Sequence, residues 1–303
     1  MAQTVLVLGA SGLFGGQAAK AFTAAGWTVR KYQRGTDMVH AAQGTDLIVN
    51  GLNPPNYHAW DRIIPEITAQ VIATGLATGV PVLVPVSVYN YGTQPGPWGP
   101  DTPQRPVARK GAIRVQMEAD YRAASERGLK VILLRGGDFI DPQSPRSFWN
   151  MIALKSVAKG KIVSPAPAHV KRAYAYLPDM ARVAVALAER RDSLPAFTDT
   201  SFAGFSLSMA DLAEALERLS GQPMRISPFM WWAMRMISPV LEVAREMVEM
   251  RYLWDHPHAL DPAPLKAMLP DFQQTSLDDV LRQELAVLAP NLQGKFSTAQ
   301  TGQ

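Results

Sequence analysis

The 303-residue chain has no cysteine, which excludes disulfides, thiolate metal sites and a cysteine nucleophile. Its five histidines are scattered without metal-ligand spacing, so no metal site is expected. No Lys-Ser/Thr pair follows the N-terminal glycines, and no Gly-x-Ser-x-Gly occurs anywhere. Phosphoryl transfer and serine-hydrolase chemistry therefore find no support. Lysines and arginines form no tract, and the net charge is only +4. That balance suits an anionic cofactor and argues against a nucleic-acid partner. Long apolar runs are missing too. The first is interrupted by glycines and lacks a basic flank, so it is not read as a signal peptide, and a cytoplasmic location is expected. The stretch 229–241 is broken by Arg235 and Pro239 and is too short to cross a bilayer, so no integral membrane segment is expected.

What the chain does have begins at residue 4. A run of apolar, partly β-branched residues reads as a buried strand, and it meets Gly9, Gly12 and Gly15 before an alanine-rich helical segment at 18–25. Strand, glycine turn and helix in that order form the first unit of a dinucleotide-binding fold. Gly9 permits the sharp turn, Gly12 leaves room for a pyrophosphate, and Gly15 lets helix and strand approach. The helix start presents free N–H groups and a positive dipole end to phosphate. Gly9, Ser11, Gly12, Leu13, Phe14 and Gly15 are accordingly the candidate cofactor positions of the loop; an ordinary tight turn is the bland alternative.

The segment 26–35 reads as a second strand. An NAD-selective site carries an acidic residue near its end to bind the ribose hydroxyls. Gln33 and Arg34 stand there instead, with Arg30 and Lys31 close by. A guanidinium grips the extra phosphate of NADP, so NADP is preferred over NAD, unless the cluster is only a solvated strand end. Asp37 follows as a candidate against the adenine. The next strand, 45–53, delivers Asn50, Gly51 and Leu52 to the cofactor at its carboxyl end, and Asn53 toward a substrate. Tyr57, His58 and Trp60, in a proline-stiffened loop before a helix expected over 63–78, either face a substrate or cover the sheet edge.

The strand 79–87 brings Ser87 to its carboxyl end before Tyr89, Tyr91 and Gly92. Together with the Gly9-x-x-Gly12-x-x-Gly15 spacing, this resembles the extended and atypical branches of the short-chain dehydrogenase/reductase superfamily, which include nucleotide-sugar epimerases and dehydratases. The resemblance implies that the Ser87 hydroxyl binds the reacting oxygen. It also implies Tyr-x-x-x-Lys on the next helix, the tyrosine acting as acid/base and the lysine binding the ribose. The sequence departs here. Aligned on Glu118, Lys110 takes the tyrosine position and Arg114 the lysine position. The spacing keeps both on one helix face, but arginine cannot act as a base at neutral pH. Lys110 is then a replacement acid/base or electrostatic clamp with Arg114 holding ribose or phosphate, or redox chemistry has been lost and a catalytically silent NADP-binding sensor remains, or the pair is an exposed basic helix start.

A narrower resemblance, to NAD-dependent epimerase/dehydratase-like proteins, rests on the loop 53–60, the turn 89–92, Lys110-Gly111-x-x-Arg114, and Arg135 to Phe139. It covers roughly residues 4–142. That group often has Asn where Ser87 stands, so the role of Ser87 follows the wider superfamily. Asp138, a candidate substrate residue, orients Arg135 or Lys110, or caps the following turn.

The expected architecture is a doubly wound parallel α/β sheet over 1–142 and a smaller, mainly substrate-binding domain over 143–303, with about 173–190 packing back on the sheet. Lys159 to Val163 reads as hairpin-like. Asp179 caps one helix, and Ser208 with Asp211 opens another, 212–219. The Met- and Trp-rich stretch 229–241 is a pocket lid or a dimer face, with peripheral membrane contact and plain core packing as alternatives. The last ten or so residues read as disordered. A small-molecule substrate is expected, with a homodimer as a possible assembly.

Overall fold

The computed structural model describes residues 2–145 and 147–291; the terminal residues read as disordered lie outside these. In chain order the strands are β1 (Thr4–Leu8), β2 (Thr28–Lys31), β3 (Leu47–Asn50), β4 (Val82–Val86), β5 (Val131–Arg135) and β6 (Asp138–Ile140). They continue as β7 (Lys161–Ser164), β8 (Arg172–Tyr176), β9 (Phe197–Ser201), β10 (Phe205–Leu207) and β11 (Arg225–Pro228). The helices used below are α1 (Leu13–Ala24), α2 (Met38–Ala42), α3 (Trp60–Thr78), α4 (Arg109–Glu126), α5 (Leu177–Glu189) and α6 (Met209–Ser220), then α7 (Trp231–Ile237) and α8 (Glu242–Glu249).

Two compact units emerge. Among the described residues the first comprises 2–136, 177–202 and 260–272, and the second 137–145, 147–176, 203–259 and 273–291. The division thus falls at Gly136, not 142, because β6 leaves the main sheet to pair with β8. The returning segment runs over 177–202 and ends in a strand, β9, and a third piece, 260–272, rejoins the first unit through the pairing of Leu260 with Trp98.

The first unit is built on a six-stranded sheet in the order β2-β1-β3-β4-β5-β9, parallel throughout. Its central strands are near-continuous apolar runs, as parallel strands covered on both faces must be: Val5 to Leu8, Leu47 to Val49 and Val131 to Leu134 are all fully buried. The chain moves outward from β1 to β2 and then returns across it to β3. With right-handed crossovers, that reversal puts α1 on one face and α2, α3 and α4 on the other. α5 packs on α1, and α3 packs on both α2 and α4. The sheet is therefore doubly wound, with its topological switch point between β1 and β3.

The second unit holds a three-stranded sheet, β10-β8-β6, and a pair, β11-β7. Residues 159–163 are not a hairpin: β7 pairs parallel with β11, which arrives only after α6. A parallel pair needs such a crossover. Ser208 caps α6 in a reciprocal box with Asp211. Asp179 lies inside the first turn of α5, its carboxylate accepting from Arg182 at 2.7 Å. In the stretch 229–241, Trp231 is buried and donates its indole N–H to the Pro165 carbonyl, whereas Met230, Trp232, Met236 and Val240 are exposed. Among the described residues no helix is long and apolar enough to cross a membrane.

Candidate active site

The glycine turn closes the carboxyl end of β1 against that of β3. Gly9 adopts φ +72°, and a Cβ there would stand 2.6 Å from the Gly51 carbonyl oxygen. A Cβ on Gly15 would run into the Gly9 carbonyl. Both positions therefore exclude any side chain, and α1 begins within contact of the sheet. Its cap is Gly12, with no side chain bonded to the first turn, so the opening N–H groups of the helix keep their donors for a ligand. Ser11 is exposed, Gly12 and Leu13 are half-buried, and Phe14 is buried in the core. Asn50 fixes the facing turn: its side-chain oxygen accepts from Leu52 N at 3.2 Å and its amide donates to the Tyr121 hydroxyl at 3.1 Å.

At the end of β2, Arg30 is committed. Its guanidinium donates to the carbonyls of Ala41 and Gln43, closing the end of α2. Arg34 is exposed and makes no hydrogen bond or ion pair among the described residues. Asp37 caps α2, its carboxylate accepting from the N–H groups of Val39 and His40, a structural task that accounts for an acid at this position.

The second cluster forms where the 53–60 loop meets the start of α4. The helix α3 begins a turn earlier than expected, at Trp60. Trp60 is buried, with its ring 5.1 Å from that of Tyr57 and 6.3 Å from that of Tyr89. The Tyr57 and Tyr89 hydroxyls are 3.2 Å apart. Lys110 is 1% exposed and lies over the Tyr57 ring, 5.1 Å from its centre. Arg114, one helical turn on, stacks 4.5 Å over Trp60 and donates to Asn53 Oδ1 at 2.8 Å. Burial holds the Arg114 guanidinium below its ordinary value, with Tyr89 and Glu118 opposing. A basic pair exposed at a helix start is thus overturned: both cations are buried against aromatic rings. Gly111 explains the Lys-Gly pairing, since a Cβ there would collide with the Tyr89 carbonyl.

Ser87 closes this corner. Its hydroxyl oxygen is buried with no partner among the described residues, and its carbonyl accepts from Arg135 at 2.6 Å. Arg135, fully buried, is gripped by Glu118 through two bonds of 2.9 and 2.8 Å and by Asp199 at 3.1 Å. Burial opposes the Arg135 charge, but the two carboxylates outweigh it and hold the guanidinium above its ordinary value. Burial likewise raises the Asp199 carboxyl, with Arg135 pulling it down.

No protein-family model matches the sequence, and no curated protein does. Solved structures match throughout. MoeE5, solved with UDP-glucose and NAD, aligns over 96% of this chain and 99% of its own with a TM-score of 0.75 at 16% identity. The UDP-glucuronic acid 4-epimerase from Bacillus cereus, solved with UDP-glucuronic acid and NAD, aligns over 95% of this chain and 100% of its own at TM-score 0.74 and 14% identity. TunA, an NAD-dependent NDP-hexosamine 5,6-dehydratase involved in tunicamycin biosynthesis, aligns over 94% and 97% at TM-score 0.71 and 18% identity. The chain has their fold.

Within this fold, one expected contact is corrected. Asp138 orients neither Arg135 nor Lys110. It begins β6 in the second unit and takes the Arg172 guanidinium at 2.6 Å, because Arg172 starts the neighbouring strand β8 in diagonal register. Arg135 is held instead by Glu118 and Asp199, which the sequence reading did not place at the site. The available signal was charge in two strands, at the end of β5 and in the middle of β9, and an acid at i+4 from Arg114. Trp60, a loop candidate in the sequence, serves as the ring on which Arg114 stacks. His58 is exposed, outside this aromatic cluster.

Proposed function

We propose that the protein binds NADP and catalyses hydride transfer at a carbonyl or hydroxyl carbon of a small molecule of the sugar-nucleotide type. The observation that carries this reading is the switch point between β1 and β3. Gly9 and Gly15 there leave no room for side chains, and a helix start keeps free N–H donors, the chemistry that a pyrophosphate requires. The residues fit the cofactor. The N–H groups at Leu13 and Phe14 would hold the phosphates, the Gly12 N–H being given to the Gly9 carbonyl; Asn50 to Leu52 would line the dinucleotide, and the uncommitted Arg34 would take the 2′-phosphate. When bound, the nicotinamide accepts or donates the hydride.

The chain's own groups do the rest. The Ser87 hydroxyl, buried without a partner, is the donor for the substrate oxygen. Lys110 and Arg114 place positive charge on the same helix face, with Asn53 held by Arg114. The second unit, taken by itself, also carries a candidate anion contact. Its Arg172 is 1% exposed and lies 3.5 Å over the Trp254 ring, and among the described residues its Nε and Nη1 donors have no acceptor. That is the chemistry of a site for a phosphate oxygen. Asp138, already paired with Arg172, would orient that guanidinium. A cofactor-binding sensor without turnover is the second reading, favoured by the commitment of both α4 cations to protein rings.

Calorimetric titration of wild type and Arg34→Ala with NADPH and NADH tests this. Loss of one charge-assisted phosphate contact, worth about 1.5–3 kcal/mol, weakens NADPH roughly 10- to 100-fold and leaves NADH unchanged. Binding of neither dinucleotide by the wild type overturns both readings.

A further inference from the structure

Moving a hydride at a carbinol carbon obliges a proton to leave or reach the oxygen, and the cations of α4 are poorly placed to carry it. Arg114 keeps its proton at any working pH, and the Lys110 ammonium lies across the face of an aromatic ring. We propose that the hydroxyls of Tyr57 and Tyr89 form the acid/base pair of this protein, with Lys110 as the fixed cation that supports their ionised form. This rests on the nicotinamide reading above.

Four observations converge on the pair. First, the two hydroxyls lie 3.2 Å apart, a direct path for a proton between side chains from different segments. Second, the loop presenting Tyr57 is strained: Asn56, Tyr57 and Ala59 have φ of 54°, 62° and 45°, and none is glycine. Such residues are strained and persist where the surroundings enforce them. Here the enforcement is the packing of Trp60 on both tyrosines, with Arg114 stacked over Trp60. Third, Gly111 allows α4 to seat on the Tyr89 carbonyl, which brings the buried Lys110 beneath Tyr57. Fourth, Tyr89 follows the carboxyl end of β4 by three residues, and Ser87, with its unpartnered hydroxyl, lies between them. This is the sheet edge where ligands of such folds bind.

In the oxidative direction the pair, as phenolate, takes the substrate O–H proton at a phenol oxygen. The carbon's C–H hydrogen leaves with its two electrons to an oxidised nicotinamide, and a carbonyl remains. In the reductive direction the phenol returns its proton to the oxygen as hydride arrives. A positive charge beside the ring lowers the cost of the phenolate, which is the part assigned to Lys110.

Ultraviolet pH titration of tyrosinate, on wild type, Tyr57→Phe, Tyr89→Phe and Lys110→Met, tests the pair without any substrate. The chain has eight tyrosines, and burial pushes four of them, Tyr91, Tyr121, Tyr174 and Tyr252, upward and out of the early part of the curve. The expected result is an early step that Tyr57→Phe removes or displaces and that Lys110→Met moves upward by about one unit or more. Curves that superimpose for wild type and Lys110→Met overturn the inference. The same variants are titrated with NADPH: retained binding and unchanged thermal unfolding show that they are folded. On any nucleoside-diphosphate sugar that the wild type turns over, Tyr57→Phe lowers kcat roughly 100-fold or more with KM little moved; an unchanged kcat refutes the assignment. Absence of dinucleotide binding by the wild type sinks the nicotinamide reading instead, so the two failures are distinct.

Discussion

Glu284 allows the sharpest test of the energetics. It lies in the helix Leu277–Leu288 of the second unit and is fully buried, and neither carboxyl oxygen has a hydrogen-bond partner among the described residues. Burial first, then the charge of Asp141, push its pKa from 4.5 to about 8, with Asn150 opposing in part. The folded chain therefore keeps a proton that the unfolded chain has released. For an acid raised in this way, stability is highest below the unfolded value, falls as pH rises, and levels off above the folded value. At about 1.4 kcal/mol per unit, the loss between pH 6 and pH 8 is about 3 kcal/mol. Glu284→Gln abolishes it, because an amide does not titrate, and its N–H suits Asn150 Oδ1, which lacks a partner. The assay is urea unfolding of both proteins at intervals across this range. The variant's advantage grows by about 3 kcal/mol over its value at pH 6 and then stays constant. A difference independent of pH from about 5.5 to 9 refutes a neutral buried Glu284.

Two further outcomes follow from the first unit. Glu118→Gln leaves the fully buried Arg135 with Asp199 as its one remaining carboxylate and removes an acceptor of Asn90 and Gln104. It lowers stability by about 3–5 kcal/mol, seen as a fall in Tm of roughly 6–15 °C; a change under about 2 °C shows that the network is not holding α4 to β5. Gly15→Ala drives a methyl into the Gly9 carbonyl and abolishes NADPH binding in calorimetry, and wild-type affinity in that variant contradicts the close approach of α1 to β1.

Much of the first unit was legible because its signals are local. A buried parallel strand is a continuous apolar run, and Gly9 and Gly15 record backbone positions that tolerate no Cβ, so the order strand, turn, helix could be read from 4–25 alone. Ser208 and Asp211 announce their helix in the same way, since a cap is satisfied within four residues. Charge on Arg30 and Arg34 was equally visible, but which one is free was not: the carbonyls that occupy Arg30 come from α2, beyond the strand.

What only the tertiary structure decided is pairing across long separations. Arg135 meets Asp199 across 64 residues and Glu118 across 17, Asp138 meets Arg172 across 34, and Tyr57 meets Tyr89 across 32. A sequence shows that such groups exist, and their separation along the chain carries no information about their distance in space. The departure at Lys110 and Arg114 is the clearest case. Sequence spacing put both on one helix face, but Gly111, Trp60 and the strained loop around Tyr57 bury those cations against aromatic rings, because burial of a charge is settled by what the rest of the fold brings to it.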